Sequence, residues 1–364
     1  MITFPHLGNT YILTKILLDE LGIKHVIPPL NSNETLEIGT LYSPEEMCLP
    51  FKIMVGNYIQ SIKNGADTIV LVGSNGPCRF GEFCELQKNL LTNLEYNLDF
   101  IVLESPQVIG KEEFKNRLYK LSGSSNRSSS KKWKLLGKTI MAIRFLEEIE
   151  EKNLERCGYE INKGEHKKIL YQCKSALNNT HNIDDALKVL KYYNNKTEKT
   201  PVDRKKKPIK IVILGEIYTI IEPFSNFHLT DKLMDYGVSI KKGLSVSWWL
   251  ADAFLRPLRL NSINIRKASM EYLPHYIGGH GRECIGEALL AIKESFDGAI
   301  QLFPMGCMPE IVAKVILQRI SKDKDFPIMT LILDEMTGEA GFNTRIEAFL
   351  DLLERRQEYV LFGS

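Results

Sequence analysis

Apolar and polar positions follow two different rhythms along the chain. Residues 2–4 form a short apolar run, Pro5, His6, Leu7 and Gly8 make a turn, and Ile12, Leu13, Ile16, Leu17 and Leu21 then recur at helical spacing. Gly22 is a fitting helix stop. The runs 68–72 and 100–103 are continuously apolar, as strands buried on both faces are, and helical patterns lie between them. Strands alternating with helices predict a parallel sheet.

From about residue 111 to 207 the strand-like runs vanish. Lys, Glu, Asn and Ser dominate around helical patterns at 140–149 and 186–193, which predicts a mostly helical insertion or linker. Within it, residues 123–132 are rich in Ser and read as a mobile loop. After Lys207 the first rhythm returns with a strand at 209–214, a turn at Gly215, and a helix through Leu229, Leu233 and Met234 ending at Gly237. The stretch GADTIVLVGSNGPCRFGEF parallels DGAIQLFPMGCMPEIVAKV, each a strand, a Gly/Pro turn, a cysteine and a helix. The expected fold is α/β: two pseudo-duplicated lobes, 1–108 and 208–364, with mainly parallel sheets flanked by helices, and a helical insertion at 109–207.

A chain of 364 residues with 44% apolar and 25% charged positions has the make-up of an ordinary globular protein of more than one core. Its net charge of +2 gives no reason to expect nucleic acid or an anionic membrane as the main partner. The first residues lack the basic stretch and apolar core of a signal peptide, and the longest apolar runs are too short to span a bilayer. A cytoplasmic location is therefore expected. Seven cysteines in a reducing compartment are expected as thiols or metal ligands rather than disulfides.

Three cysteines share a setting. Cys48 lies in CLPFK, two residues before Pro50 and ahead of a helix carrying Phe51, Met54, Val55, Ile59 and Ile62. Cys307 lies in GCMPE, two residues before Pro309 and ahead of an amphipathic helix with Val312, Val315 and Ile316. Cys78, in GPCRFG, follows a strand and a glycine turn. Proline is well tolerated in the first helical turn, so each Cys-x-Pro sets a thiol at a helix N-terminus, where the dipole favours thiolate and the negative charge of a cluster. Three such thiolates meeting at the carboxyl ends of strands would suit an iron-sulfur or zinc site. The alternative for any one cysteine is a small buried hydrophobe, and no CxxC spacing argues against that.

Cys284 follows GGHGRE at another helix start and is a candidate fourth ligand; Cys84, Cys157 and Cys173 read as core or incidental. GGHGRE could instead cradle a phosphate, although it is neither a Walker A motif nor GxGxxG. His280 reads as a turn residue and His6 as a cleft-lining candidate. In DEMTGEAGFNTRIEAF, residues 334–349, Asp334, Glu335, Glu339 and Arg345 could orient a cluster or partner, with capping and salt bridging as equal readings. The basic run 204–207 reads as a solvated linker.

Taken together, FPHLGN, CLPFK, GADTIV with GPCRFG, GGHGRE, DGAIQL with GCMPE, and DEMTGEAGFNTRIEAF resemble the CoA protein activase family, which is related to acyl-CoA dehydratase activases and to the cluster-binding subunits of 2-hydroxyacyl-CoA dehydratases. The resemblance covers residues 1–105 and 209–355. It implies a 4Fe-4S or double-cubane cluster on Cys48, Cys78 and Cys307, electrons supplied by an ATP-hydrolysing activase of the actin-like fold, and a 2-hydroxyacyl-CoA or other small molecule as substrate. A homodimer could add further thiolates. Where relatives carry another cysteine before GPCRFG, this chain has Ser74 and Asn75. The rival readings are a non-enzymatic accessory or assembly protein of such a system, and a zinc- or nucleotide-binding protein.

Overall fold

Both lobes are built by the same route, and the first shows it in its simplest form. In this computed structural model, which describes residues 1–73, 82–94, 96–104, 106–255 and 261–362, strand β1 (Ile2–Thr3) leads to helix α1 (Thr10–Leu21), whose apolar positions Ile12, Leu13 and Ile16 are buried. Gly22 ends α1 in the left-handed region (φ 70°), with its N–H bonded to the Asp19 carbonyl and that of Ile23 to Leu18. Helices α2 (Asn33–Tyr42) and α3 (Leu49–Lys63) follow, then β2 (Thr68–Val72), α4 (Phe83–Asn93) and β3 (Asp99–Leu103). The strands are parallel in the order β1-β2-β3, and Ile2 also forms a parallel bridge to His25 on its other side. Phe4, Leu18, Val70 and Ile101 pack with Leu135 into the core of this sheet.

The next segment contains only helices among its described residues, apart from a bridge between Glu160 and Val202. These are α5 (Pro106–Ile109), α6 (Lys111–Ser122), α7 (Ser129–Arg156), α8 (Glu165–Asn178) and α9 (Ile183–Lys199). The Ser-rich stretch is shorter as a loop than its composition predicts: α7 already begins at Ser129, so residues 129–132 are helical. Serine is a poor helix former in the interior but suits a helix start.

The second lobe comprises β4 (Lys210–Gly215), α10 (Ile217–Ile221), α11 (Leu229–Asp235), β5 (Ser239–Lys242), α12 (Val246–Leu255), α13 (Ile263–Ser269), α14 (Gly281–Lys293), β6 (Gly298–Pro304), α15 (Met308–Asp323), β7 (Ile328–Leu333) and α16 (Glu339–Phe362). Its sheet is parallel in the order β5-β4-β6-β7. The single helix expected after Gly215 is broken into α10 and α11, because Phe227 and His228 both take positive φ between them. Gly237 stops α11 as Gly22 stops α1, with the same two bonds: Gly237 to Met234 and Val238 to Leu233.

The two lobes follow a similar order of elements. β1, His25, β2 and β3 match β4, β5, β6 and β7 in sheet order, α2 and α3 match α13 and α14, and α4 matches α15. Matching aspartates fasten each lobe's first strand. The Asp67 carboxylate accepts from the Met1 amino group, while Asp297 accepts from the Lys210 N–H at 2.7 Å and donates its own to Lys210 O at 2.9 Å.

Contacts group the chain into two compact units: one of residues 1–148, 171–195 and 246–261, the other of residues 149–170, 196–245 and 262–364. The helical segment 109–207 thus contributes to both. In the first unit, Glu147 of α7 accepts from the backbone N–H groups of Val246 and Ser247 and caps α12.

Candidate functional site

In the first unit, the chain between α2 and α3 passes Pro44 and reaches Cys48, the N-cap residue of α3 (φ −70°, ψ 158°), with Pro50 in the first turn. The Cys48 carbonyl accepts from Phe51 at 3.0 Å, and its side chain makes no capping bond. Because α3 runs back to deliver the chain to the start of β2, Cys48 lies toward the carboxyl end of the sheet. Apart from its ends, α3 is buried nearly all round, including Phe51, Ile53, Val55, Tyr58 and Ile59. Lys52 is 1% exposed and its ammonium donates to the Glu45 carbonyl at 3.2 Å, tying the loop before Cys48 to the helix.

Two glycines make this arrangement of helices possible. A Cβ on Gly56 would lie 1.8 Å from the Thr35 carbonyl oxygen, and one on Gly39 would lie 1.8 Å from that of Lys52. The backbones of α2 and α3 therefore touch where Cys48's helix is held. Ser32 and Thr35 form a reciprocal cap at the start of α2, and the Thr35 hydroxyl donates to Gln60 of α3 at 2.7 Å.

Cys78 lies outside the described residues. Cys84, in the first turn of α4, is buried; burial first, then the charge of Glu104, pushes its thiol up. The same thiol lies near the Tyr58 hydroxyl, which is pushed far above its ordinary value by burial. His6 is also buried, its ring 4.4 Å from that of Tyr11. Cys173 belongs to the core of this unit at 0% exposure.

In the second unit, β6 ends at Pro304, the chain turns at Gly306 (φ 79°), and Cys307 caps α15 (φ −77°, ψ 100°) with Pro309 in the first turn. The Cys307 carbonyl accepts from Ile311 at 3.0 Å, and its side chain again makes no capping bond. Cys48 and Cys307 thus have the same local construction, one in each unit. The face of α15 that packs inward differs from the expected one: Ala313, Leu317 and Ile320 are buried, while Val312 and Val315 are exposed. The apolar period around those two valines fits either face, and the sheet takes the one carrying Ala313 and Leu317.

Beneath Cys307 runs a buried polar string. The Thr330 hydroxyl donates to Gln301 at 2.9 Å, Gln301 Nε2 donates to Glu310 Oε2 at 2.8 Å, and the Cys284 thiol donates to the Glu310 carboxylate at 3.3 and 3.4 Å. Gln301 and Glu310 are both 0% exposed. Burial pushes the Glu310 carboxyl up to about 7, against the hydrogen bonds from Gln301 and Cys284, and burial with the neighbouring Glu310 charge pushes the Cys284 thiol well above its usual range. The Cys284 thiol is thus hydrogen-bonded to the first turn of Cys307's helix. No motif or spacing in the sequence marks Gln301 and Glu310. The signal that could find them is a lone amide inside the apolar strand AIQLF and an acid at the third position of a helix.

Gly215 ends β4 at φ 133° with no room for a Cβ, which would lie 2.0 Å from the Leu302 carbonyl oxygen. The following Glu216 is buried and accepts from Tyr218 N, Thr219 N and the Thr219 hydroxyl at 2.8–3.0 Å, capping α10; burial nevertheless raises its carboxyl. GGHGRE places Gly278 and Gly279 at positive φ and His280 at the N-cap of α14, with Arg282 over the Tyr276 ring at 5.3 Å.

The remaining candidates have structural partners. Asp334 accepts from Met336 N and the Thr337 hydroxyl, Glu339 pairs with Lys232 at 2.7 Å, and Arg345 donates to the Thr330 carbonyl. Glu335 lies half-buried beside Asp334 in the same turn. In the basic run, Lys206 donates to the Glu160 carbonyl. The Cys157 thiol donates to the Leu154 and Val238 carbonyls, and burial lifts it to about 12.

Among the described residues no cysteine is in a disulfide, no group of three or more His, Cys, Asp or Glu side chains could hold a metal ion, and no helix is long and apolar enough to cross a membrane. A family model described as the CoA enzyme activase uncharacterised domain (DUF2229) matches residues 6–242. That span includes Cys48, the helical segment and the second lobe as far as β5; Cys284 and Cys307 lie beyond it. No curated protein matches the chain.

Proposed function

The chain belongs to the CoA enzyme activase domain family, and from that premise we propose that it is an iron-sulfur protein that accepts low-potential electrons from an ATP-hydrolysing activase of a 2-hydroxyacyl-CoA dehydratase-type system. The observation that supports this reading is the repeated construction at Cys48 and Cys307: a thiol at the N-cap of a long helix with proline in the first turn. A thiol so placed faces the unpaired N–H groups and positive end of the helix, which favour thiolate and an anionic ligand. The donor chemistry fits a soft iron-sulfur site, with Cys48, Cys78 and Cys307 as the residues that would hold it. Cys284 would have to leave Glu310 to serve as a fourth ligand.

When bound, such a cluster supplies a low-potential electron store. This chain's own residues orient the thiolates and stabilise their charge. Lys52 anchors the loop ahead of Cys48, and the string Thr330, Gln301, Glu310 and Cys284 braces the first turn of the Cys307 helix. A cluster held there would supply single electrons to a bound acyl-CoA or other small molecule.

Anaerobic purification followed by iron and acid-labile sulfide analysis tests the reading. The wild-type chain retains both, and it bleaches when mixed with activase, reductant and ATP. Cys48→Ser and Cys307→Ser lose most of the iron, whereas Cys284→Ser keeps it. A chain without iron or sulfide overturns the proposal. Iron retained without ATP-dependent bleaching assigns the protein to assembly or accessory work in the same system.

A further inference from the structure

The outward face of α7 carries a notch. Gly137 is exposed in the interior of this helix, with no atom within 4 Å of where a Cβ would lie. Glycine is the poorest helix former after proline, and nothing packed against this position calls for it. The neighbours of a residue on a helix surface are those three and four positions away on either side. For Gly137 these are Trp133, Lys134, Ile140 and Met141, and all four are exposed, Trp133 at 55% and Met141 at 54%. The missing side chain thus leaves a hole walled by three large apolar groups and one lysine, and a hole of four residues is what receives a knob when helices pack.

The other side of the same turns is already spent. Leu135, Ala142, Ile143 and Leu146 are buried, Leu135 against the first lobe's sheet. An exposed tryptophan beside two further exposed apolar residues is unlike the single apolar groups scattered over a soluble surface, and it is the residue type that most often anchors a protein interface.

The charges around the hole define what fits it. Residues 123–146 include six basic side chains and no acidic one. Lys138 pairs with Asp184, Arg144 pairs with Glu148 at 3.0 Å, and Lys132 donates to the Ser122 carbonyl at 2.7 Å. Arg127, Lys131 and Lys134 meet no carboxylate among the described residues. Lys134 walls the hole and Lys131 lies one turn before it, so the unpaired positive charge gathers at the N-terminal end of the face, where the helix dipole adds to it. Such a face calls for carboxylates. A second copy would set like charges together, and a lipid surface has no knob to seat in the hole.

We propose that this face of α7 docks an amphipathic helix of another protein, which seats a large apolar side chain in the notch at Gly137 and sets carboxylates against Lys131 and Lys134. The docking uses none of the cysteines and is independent of any metal content.

Fluorescence anisotropy tests it, with the full chain titrated into a labelled helical peptide that repeats Leu-Glu-Ala-Leu-Glu-Glu-Ala. The wild type binds this peptide in the micromolar range, and it binds the version with Lys for every Glu at least about tenfold more weakly. Gly137→Leu fills the notch and weakens the acidic peptide by about tenfold or more, yet its thermal midpoint does not fall, because leucine is the better helix former and enters open space. Lys131→Glu combined with Lys134→Glu reverses the preference between the two peptides. A wild type that binds neither peptide, or a Gly137→Leu variant that binds as the wild type does, overturns the proposal. Equal binding of the two peptides overturns the charge assignment. Sedimentation of the wild type as a dimer that Gly137→Leu dissolves gives the notch to a second copy, and retention on vesicles of phosphatidylglycerol and phosphatidylcholine that Trp133→Ala abolishes gives the face to a membrane; either result overturns the assignment to a partner helix.

Discussion

The two lobes share a scaffold and differ in what lies inside it. Both order their strands alike, stop their first full helix at a left-handed glycine, clasp the first strand with an aspartate, and precede the third strand position with a closely packed helix pair. Yet the middle strand of the first lobe carries Leu71 where the alignment of DTIVLV with DGAIQL puts Gln301 in the second, and both are 0% exposed. The helix before that strand starts with Cys48 in the first lobe; its counterpart α14 starts at Gly281 and carries Cys284 one turn inside. Duplication thus preserves the backbone route, which secondary-structure geometry dictates, while the polar interior is free to diverge wherever each group finds a partner.

Backbone contact is where the comparison is most sharply tested. Gly56 meets backbone oxygen at 1.8 Å from its absent Cβ; the matching Gly286 on α14 meets the Ile265 side chain at 2.5 Å and its carbonyl at 2.6 Å. Neither oxygen can yield without moving a helix. Gly56→Ala is expected to cost more than about 3 kcal/mol, and Gly286→Ala a little less because part of its contact is the end of a side chain. Urea unfolding of both variants checks the order. If Gly286→Ala proved the costlier, the two helix pairs would not be equivalent supports.

The polar string is the next largest difference. Gln301→Leu gives the second lobe the first lobe's residue at the matched position, and it removes the partner of both Thr330 and Glu310. Leaving a fully buried carboxyl without its amide donor costs about 2–3 kcal/mol. In the reverse experiment, Leu71→Gln places an amide at a strand position that is 0% exposed, on the same face as Ile69, at a similar cost. Thermal unfolding of both variants measures the pair of effects. A neutral Gln301→Leu would show that the string is not a support for α15.

How far the sequence could be read follows from the same contrast. The runs 69–72 and 211–214 are legible because a strand buried on both faces has no polar residue to obscure it, and Gly22 and Gly237 because few other residues take positive φ at a helix end. Cys48 and Cys307 were legible as helix starts because proline in a first turn is a strong local signal. The break between α10 and α11 was not, since Phe227 and His228 adopt the left-handed region against their own preference. Nor was the inward face of α15, because two apolar faces on one helix give periodicity nothing to choose between. The pairing of Cys284 with Glu310 joins residues 26 apart on different helices, and only packing reveals it.

The smallest expected effect is also the cleanest test of equivalence. Gly22 and Gly237 sit at φ 70° and 72°, each with open space where a Cβ would point, so an alanine at either meets no neighbour and suffers only the backbone cost of the left-handed region. That cost is about 1 kcal/mol, and it is the same for both because the flanking hydrogen bonds are the same. Asparagine tolerates this conformation better than alanine, so Gly22→Asn and Gly237→Asn should each recover part of the loss. Unequal alanine costs would mean that one helix end is held by its surroundings rather than by its own cap, and the duplicated route would then be a likeness of path without a likeness of energy.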